Sequence, residues 1–272
     1  MGILNVTPDS FSDGGRWTEV DRAVDHGVEM ARQGADVIDV GGESSRPGSE
    51  RVAAVEQCQR VIPVIQRLHR RLAAEHPDVV ISVDTTLADV AMPALEAGAA
   101  IVNDIAAGRE DPGMLTAAAR HGAGVVLMHM QGTPATMQQD PTYRDVVAEV
   151  VAFLAQRVEA ASTAGVAKDR IIVDPGIGFG KTREHNLQLL AGLPQLVARG
   201  HPVLLGTSRK RFMGSICTYN GRVPAPHELV DATCATTALG VAAGVSLFRV
   251  HDVQANRRAA DVAAAIETAS KS

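Results

Sequence analysis

Short apolar segments alternate with longer amphipathic ones along the chain of 272 residues, and this alternation limits the possible folds more than any other feature. The apolar segments are mostly continuous runs of valine, isoleucine and leucine, as in parallel strands that are covered on both faces. Eight strands are predicted: Gly2 to Val6, Asp36 to Gly41, Val79 to Asp84, Ala100 to Asp104, Gly124 to His129, Arg170 to Asp174, Pro202 to Thr207 and Ser246 to His251. Eight strand–helix units at this chain length predict an α/β fold, a (β/α)8 barrel of the TIM type.

The segments between the predicted strands are alanine-rich and have helical periodicity. Val20 to Gln33 and Tyr143 to Ala164 are two of the predicted helices. Several of these segments end near a glycine that can terminate a helix, namely Gly34, Gly98, Gly165 and Gly200. No linker rich in proline, glycine or serine divides the chain, so residues 1–272 are predicted to form a single domain. An open, Rossmann-like parallel sheet is the alternative architecture.

Composition and charge exclude several classes of protein. The chain has 26 Lys and Arg against 31 Asp and Glu, so it lacks the positive field that binding to a phosphate backbone requires, and no nucleic-acid partner is expected. We find no apolar run long enough to span a membrane and no basic segment followed by an apolar one at the N-terminus. The three cysteines have neither zinc-site nor disulfide-framework spacing. Together these observations predict a soluble, cytoplasmic protein.

Polar residues occur near the end of nearly every predicted strand, which is where barrels of this type build their sites. They are Asn5, Asp84, Asn103 with Asp104, His129, Asp174, Ser208 with Arg209 and Lys210, and Arg249 with His251. A buried polar side chain without a partner costs about 1–3 kcal/mol. A shared ligand that satisfies these groups is therefore predicted, and an internally hydrogen-bonded polar layer is the alternative for any single residue.

The residue types indicate what this ligand is. Five residues supply positive charge suited to a phosphate or a carboxylate: Arg46, Lys210, Arg209, Arg249 and His251. A carboxylate such as that of Asp84 can accept two parallel N–H bonds from the amide–amine edge of a guanine-like or pterin-like ring. The predicted ligand is thus planar and rich in nitrogen at one end and anionic at the other. Asn5, with the aspartates of the following loop, is predicted to hold Mg²⁺ while diphosphate oxygens complete its shell.

The segment Gly176 to Thr182 has the appearance of a phosphate-binding loop but fails both motifs. Pro175 stands where a P-loop requires its first glycine. Lys181 stands where a dinucleotide fingerprint requires its last one. No nucleotide-binding loop is therefore predicted here.

Eight motifs occur in order along essentially the whole chain: Gly2 to Gly15, Gly42 to Gly48, Ser82 to Thr85, Asn103 to Ile105, Met128 to Gly132, Asp174 to Phe179, Ser208 to Lys210 and Arg249 to Asp252. In this combination the chain resembles the bacterial dihydropteroate synthases. The resemblance implies a transferase of folate synthesis that joins 6-hydroxymethyl-7,8-dihydropterin diphosphate to p-aminobenzoate and releases diphosphate. It also implies that the C–O bond breaks largely before the amine attacks.

The resemblance further assigns roles to individual residues. It implies that Asp84, Asn103, Asp174 and Lys210 hold the pterin ring, that Arg249 stacks on it, and that Phe179 and Met128 belong to the substrate site. Asn5 would bind Mg²⁺, and His251, Arg46 and Arg249 would receive the diphosphate. Phe11, Ser45, Arg46, Pro47 and Lys210 would frame p-aminobenzoate, with Asp13 folding in on the first loop. The implied catalytic set is Asp84, Lys210, Arg249, His251 and Asp13, and the implied assembly is a homodimer formed by late helices.

Two departures from the family pattern are visible. The chain begins almost at the first predicted strand, and Ala106-Ala107-Gly108 replaces a commoner Ser-Gly-Gly. A pterin-binding methyltransferase on a similar barrel is the main alternative; it shares the polar strand ends but gives no reason for Ser44 to Pro47 or for Ser208 to Lys210. A catalytically silent pterin-binding protein is opposed only because no motif residue is lost. An aldolase with a Schiff base at Lys210 is disfavoured because no adjacent general acid is evident.

Overall fold

The computed structural model describes residues 1–6, 16–44, 49 and 51–270. Eight parallel strands lie in these ranges: β1 Gly2–Asn5, β2 Val37–Gly41, β3 Val80–Asp84, β4 Ile101–Asp104, β5 Gly124–Met128, β6 Ile171–Asp174, β7 Leu204–Leu205 and β8 Leu247–Phe248. Each coincides with a predicted strand. The last two are shorter than predicted, with two residues each.

The strands form a closed barrel rather than an open sheet. β1 to β6 pair in sequence order, and β7 pairs with β8. A parallel bridge between Val173 and Val203 joins β6 to the start of β7, and a bridge between Gly2 and Val250 joins β8 back to β1. The backbone N–H of Ile3 donates to the Val250 carbonyl at 3.0 Å. The predicted (β/α)8 barrel is thus confirmed, whereas the prediction that residues 1–272 are one domain stays a prediction.

Helices surround the barrel: α1 Arg16–Arg32, α2 Ala54–Glu75, α3 Ala88–Glu96, α4 Met114–Arg120, α5 Val146–Thr163, α6 Arg183–Ala191, α7 Leu193–Val197, α8 Arg211–Ile216, α9 Val230–Ala242 and α10 Val253–Ala269. The start of α5 shows why one predicted boundary is too early. The Asp145 carboxylate accepts the N–H groups of Val147 and Ala148, each at 3.0 Å, and so caps the helix. The helix is followed by Gly165, whose φ of 95° ends it.

The hydrophobic core lies between the strands and the surrounding helices. Ile38, Leu68 and Leu127 are fully buried there, and burying such a side chain contributes about 1.5–3 kcal/mol. In α1, a Cβ atom at Gly27 would lie 2.9 Å from Leu68 Cδ1, so α1 and α2 are packed too closely for a larger residue. Within the described ranges, no helix has the length and apolarity needed to cross a bilayer.

Candidate active site

A cluster of charged and polar groups lies inside the barrel, toward the carboxyl ends of the strands; we call Asp39, Asp84, Asn103 and Arg249 the Arg249 cluster. The Arg249 Nε donates to Asp39 Oδ2 at 2.6 Å, and its Nη2 donates to Asp84 Oδ2 at 2.7 Å. Asn103 Nδ2 donates to the same Asp39 oxygen at 3.0 Å. Because β2 and β8 are not neighbours in the barrel, these contacts pass through its interior. The structure therefore brings Asp84, Asn103 and Arg249 together, as predicted from their strand-end positions.

The Arg249 cluster has perturbed protonation. Burial, opposed by the charge of Arg249 and assisted by that of Asp39, raises the pKa of Asp84 to about 7. Burial lowers the pKa of Arg249, but Asp39 and Asp84 outweigh this effect and raise it above its ordinary value. Asp84 thus changes charge near neutral pH while Arg249 stays cationic. A ligand that offers N–H donors to Asp84 would favour its carboxylate form.

A second cluster lies on β6 and in the loops after β5, β6 and β7; we call Asp174, Lys210, Lys181 and His129 the Asp174 cluster. Asp174 is buried and accepts the N–H of Gly176 at 2.7 Å. Burial raises the pKa of Asp174, and the charge of Lys210 is the largest opposing influence. Burial likewise lowers the pKa of Lys210 to about 8, against the carboxylate of Asp174. Asp174 and Lys210 thus each oppose the effect of burial on the pKa of the other.

An apolar slot adjoins the Asp174 cluster. The Phe179 ring packs against a buried group formed by Ile105, Met128, Met130 and Met137. The Lys210 Nζ lies 4.7 Å from the centre of that ring and donates to the Ile177 carbonyl. Both Met128 and Phe179 were predicted to contact substrate. Their arrangement provides an apolar wall on which a flat ring can pack.

The loops after β7 and β8 form a polar corner beside the Arg249 cluster. Ser208 Oγ lies 3.0 Å from His251 Nδ1 and accepts the N–H of His251 at 3.2 Å. Arg209 has a φ of 60°, a left-handed conformation that is strained for a side chain of this size. Its guanidinium donates twice to Asp252, at 3.0 and 2.7 Å, and this bidentate pair holds the strained residue between Ser208 and Lys210.

Asn5 ends β1 beside this corner. Since Ile3 is hydrogen-bonded to Val250, Asn5 and His251 leave neighbouring strands at the same end of the barrel. The described residues contain no group of three or more His, Cys, Asp or Glu side chains placed to hold a metal ion. Five predicted site residues lie outside the described residues: Phe11, Asp13, Ser45, Arg46 and Pro47.

Known proteins resemble this chain over nearly its whole length. The profile of a family described as pterin binding enzyme matches residues 1–251. The dihydropteroate synthase of Synechocystis sp. is 46% identical over 266 residues, which cover 98% of this chain and 89% of that protein. The chain belongs to the dihydropteroate synthase family. It is accordingly an enzyme of the transferase class.

Solved structures of dihydropteroate synthases share its fold. That of Yersinia pestis, described with a sulfonamide drug complex, has a TM-score of 0.89 and 41% identity, covering 98% of this chain and 94% of that chain. That of Xanthomonas albilineans, described with 4-aminobenzoic acid, has a TM-score of 0.88 and 47% identity, covering 98% of this chain and 92% of that chain. Both similarities extend over nearly all of this chain and confirm its assignment to this family of barrels.

The sequence reasoning missed Asp39. Asp39 is fully buried and is the acceptor that Arg249 and Asn103 share. Its signal was present as a single carboxylate inside the apolar run Val37 to Val40. A buried acid there requires a cationic or hydrogen-bonding partner inside the barrel. This dihydropteroate synthase family member therefore has a buried carboxylate that holds two of the residues predicted to bind the pterin.

The sequence also did not predict the contact between His129 and Lys181. His129 is buried, and its ring packs edge-on against Phe153 at a centroid distance of 4.8 Å. Its Nδ1 lies 2.9 Å from the Nζ of Lys181, the residue at which the sequence fails the dinucleotide motif. His129 is thus internally paired, which is the alternative retained for any single strand-end residue. The partners are far apart in sequence, so no local pattern could reveal the pair.

Proposed function

We propose that this chain condenses 6-hydroxymethyl-7,8-dihydropterin diphosphate with p-aminobenzoate to form 7,8-dihydropteroate and diphosphate. The observation that carries the proposal is the position of two buried carboxylates at the same end of the barrel, Asp84 at the end of β3 and Asp174 at the end of β6, with the Lys210 amine over the ring of Phe179. The Xanthomonas albilineans relative described with 4-aminobenzoic acid supports the second substrate. The curated relative is named as a synthase, which does not favour the methyltransferase alternative.

The pterin would lie flat between the two clusters. Asp174 would accept N–H bonds from one edge of the ring, and Lys210 would donate to a ring acceptor while staying over Phe179. Asp84 now binds Arg249 and would exchange it for N–H donors of the pterin. Arg249 would keep its bond to Asp39 and present the face of its guanidinium to the ring, a geometry that suits arginine better than lysine.

In the chemical step, the bond between the pterin methylene carbon and the diphosphate oxygen breaks, and its electron pair leaves with the diphosphate. The lone pair of the p-aminobenzoate nitrogen then attacks that carbon, and the resulting ammonium gives its proton to solvent. Arg249 and His251 would stabilise the negative charge on the departing diphosphate, and Asp84 and Asp174 would stabilise the positive ring. Preorganised charges of this kind usually contribute more to catalysis than any other single effect.

We also propose that Asn5 helps to hold Mg²⁺. An amide oxygen is a hard ligand of the kind that Mg²⁺ takes, and an ion carried by substrate phosphates needs few ligands from the protein. When bound, the ion would neutralise charge on the diphosphate. For Asn5→Ala we expect a higher Mg²⁺ concentration at half-maximal turnover, measured by metal titration. Normal turnover of the variant at limiting Mg²⁺ would contradict the metal role.

A homodimer formed by α9 and α10 is part of the proposal. α9 packs on α10, and three large apolar side chains on the pair are exposed: Leu239 at 70%, Val262 at 61% and Ile266 at 64%. Exposed apolar groups on adjoining helices are typical of an interface between subunits. Light scattering should give twice the chain mass for the wild type and the chain mass for Ile266→Glu. The cytoplasmic location stays a prediction.

A diphosphate-release assay with and without p-aminobenzoate tests the proposed function. We expect diphosphate and dihydropteroate to form in equal amounts when both substrates are present. Omission of p-aminobenzoate should abolish dihydropteroate formation. Failure to form dihydropteroate from both substrates at saturating Mg²⁺ would overturn the proposal, because a methyltransferase or a silent binding protein consumes no p-aminobenzoate.

A further inference from the structure

Lys181 has a buried amine that the reaction described above does not use. The residue is 3% exposed. Its Nζ donates to the Phe179 carbonyl at 2.9 Å and lies 2.9 Å from Nδ1 and 3.4 Å from the carbonyl oxygen of His129. A lysine is rarely buried to this extent without a specific partner. The partners here are two backbone carbonyls and one imidazole nitrogen.

These partners belong to two loops that are in direct contact. Gly176 and Gly180, in the loop after β6, have φ angles of 66° and 62°. A Cβ atom at Gly176 would collide with the His129 carbonyl, and one at Gly180 would collide with the Gln131 carbonyl. The loop after β6 therefore rests on the segment that follows β5. The Lys181 amine lies at the contact between these two loops, which we call the seam. It connects Phe179 in one loop to His129 in the other.

The loop that Lys181 connects carries groups of the proposed pterin site. Asp174 begins it, Phe179 forms its apolar wall, and the Ile177 carbonyl accepts the amine of Lys210. We propose that Lys181 is a positioning residue, whose amine, held by His129, fixes Phe179 and Asp174 in the orientation that binds the pterin ring. This inference rests on the proposed function, since it assigns a role toward the same substrate.

The charges around Lys181 make the proposal testable by pH. Burial, together with the charges of Lys181 and Arg109, lowers the pKa of His129 to about 3, so its ring is neutral and Nδ1 can accept from the amine. Burial lowers the pKa of Lys181 to about 7, with Asp174 opposing and Lys210 adding to the shift. The Tyr143 hydroxyl closes the same seam through the Gly180 carbonyl at 2.7 Å.

The charge of Lys181 affects the pKa of Asp174. Burial raises the pKa of Asp174, whereas Lys210, the N–H of Gly176, Lys181 and Arg249 lower it. Removal of the Lys181 charge therefore raises the pKa of Asp174. If Asp174 binds the pterin as a carboxylate, the affinity for the pterin will then begin to fall at a higher pH as the solution is acidified.

The first test compares Lys181→Met with Lys168→Met, whose lysine lies exposed on a surface turn. Calorimetric titration with 6-hydroxymethyl-7,8-dihydropterin diphosphate should show about tenfold weaker binding for Lys181→Met, the scale of one lost hydrogen bond to a charged group. The acidic midpoint of binding should move to higher pH in this variant and stay in place in Lys168→Met. A merely structural defect would weaken binding without moving the midpoint, and this result would overturn the proposal.

The second test uses His129 and does not depend on Lys181→Met. Asparagine can present an amide oxygen in place of Nδ1, so His129→Asn should bind the pterin more tightly than His129→Leu. The losses in Lys181→Met and His129→Leu should not add in the double variant, because both remove one contact. Additive losses would overturn the proposal. If the wild type binds the pterin and forms dihydropteroate while Lys181→Met binds it equally well, this inference alone fails; if the wild type does neither, the proposed function fails.

Discussion

The Arg249 cluster and the Asp174 cluster have opposite charge arrangements: the first is built around a cation and the second around a carboxylate. In the Arg249 cluster, one guanidinium is held by two carboxylates through direct ion pairs. In the Asp174 cluster, one carboxylate lies among two lysines, and both Asp174 and Lys210 are hydrogen-bonded to the backbone of the loop after β6. In the proposed function, Asp84 would exchange Arg249 for the pterin when this ligand binds, whereas Asp174 would bind the pterin without such an exchange. We therefore call the Asp174 cluster the preformed side of the proposed site.

Asp174→Asn should have the largest effect, because it removes the carboxylate from the preformed side. The variant leaves the buried amines of Lys181 and Lys210 without their counter-charge. Truncating one partner of a buried charge pair costs about 2–5 kcal/mol, so pterin affinity should fall by about a hundredfold or more. Calorimetry with the pterin substrate measures this loss. Asp169→Asn, on an exposed turn, is the matched control and should bind normally; unchanged affinity in Asp174→Asn would remove Asp174 from the site.

Asp39→Asn should have a smaller effect on affinity and a distinct effect on pH dependence. Arg249 and Asn103 lose their shared carboxylate, so we expect about tenfold weaker pterin binding, the scale of one charged hydrogen bond. The charge of Asp39 raises the pKa of Asp84, so its removal lowers that pKa.

The pH profile of kcat/KM tests this sign. In the wild type, activity should fall as the pH decreases through about 7, where Asp84 becomes protonated. In Asp39→Asn this acidic limb, which we assign to Asp84, should move to lower pH, whereas Lys181→Met should move the acidic midpoint of pterin binding that we assign to Asp174 to higher pH. An acidic limb that stays in place would show that Asp39 does not act on Asp84 and would break the contrast between the two clusters.

The sequence alone predicted more of the fold than of the site. Continuous apolar runs located all eight strands, because a strand covered on both faces must be apolar along its length. The short pairing of β7 and β8 could not be predicted, since it depends on how the ring closes. The turn at Asn220 and Gly221 was predictable in principle: these residues have φ angles of 49° and 74° between the bridged Tyr219 and Arg222, and Asn-Gly is the usual signal for such a hairpin.

The sequence likewise predicted some residues of the candidate site and missed others. Asp84, Asn103 and Arg249 were located because each stands at the end of a strand, and strand ends meet at one end of a barrel. Asp39 was missed because it lies within a strand, one layer deeper. Lys181 was missed because its partner, His129, lies in a different loop and only tertiary packing brings the two together. Sequence patterns reveal the residues that face the ligand more readily than those that hold them in place.

The smallest effect is expected for a substitution outside both clusters, Ala107→Gly, which serves as a reference for the variants within them. Ala107 and Gly108 have φ angles of 54° and 68° in a turn that the N–H of Arg109 closes onto the Ala106 carbonyl. Alanine costs about 1–2 kcal/mol in the left-handed region, and this is the site where the chain departs from the commoner family pattern. Ala107→Gly should therefore raise the free energy of unfolding by about 0.5–1 kcal/mol, since glycine avoids this strain but loses chain entropy.

Denaturant unfolding measures the change, with Ala119→Gly in α4 as a control that should destabilise the protein by about 1 kcal/mol. Pterin affinity and the acidic limb should stay unchanged in Ala107→Gly; a shift in either would mean that the opposed shifts expected for Asp39 and Lys181 variants are not specific to the two clusters.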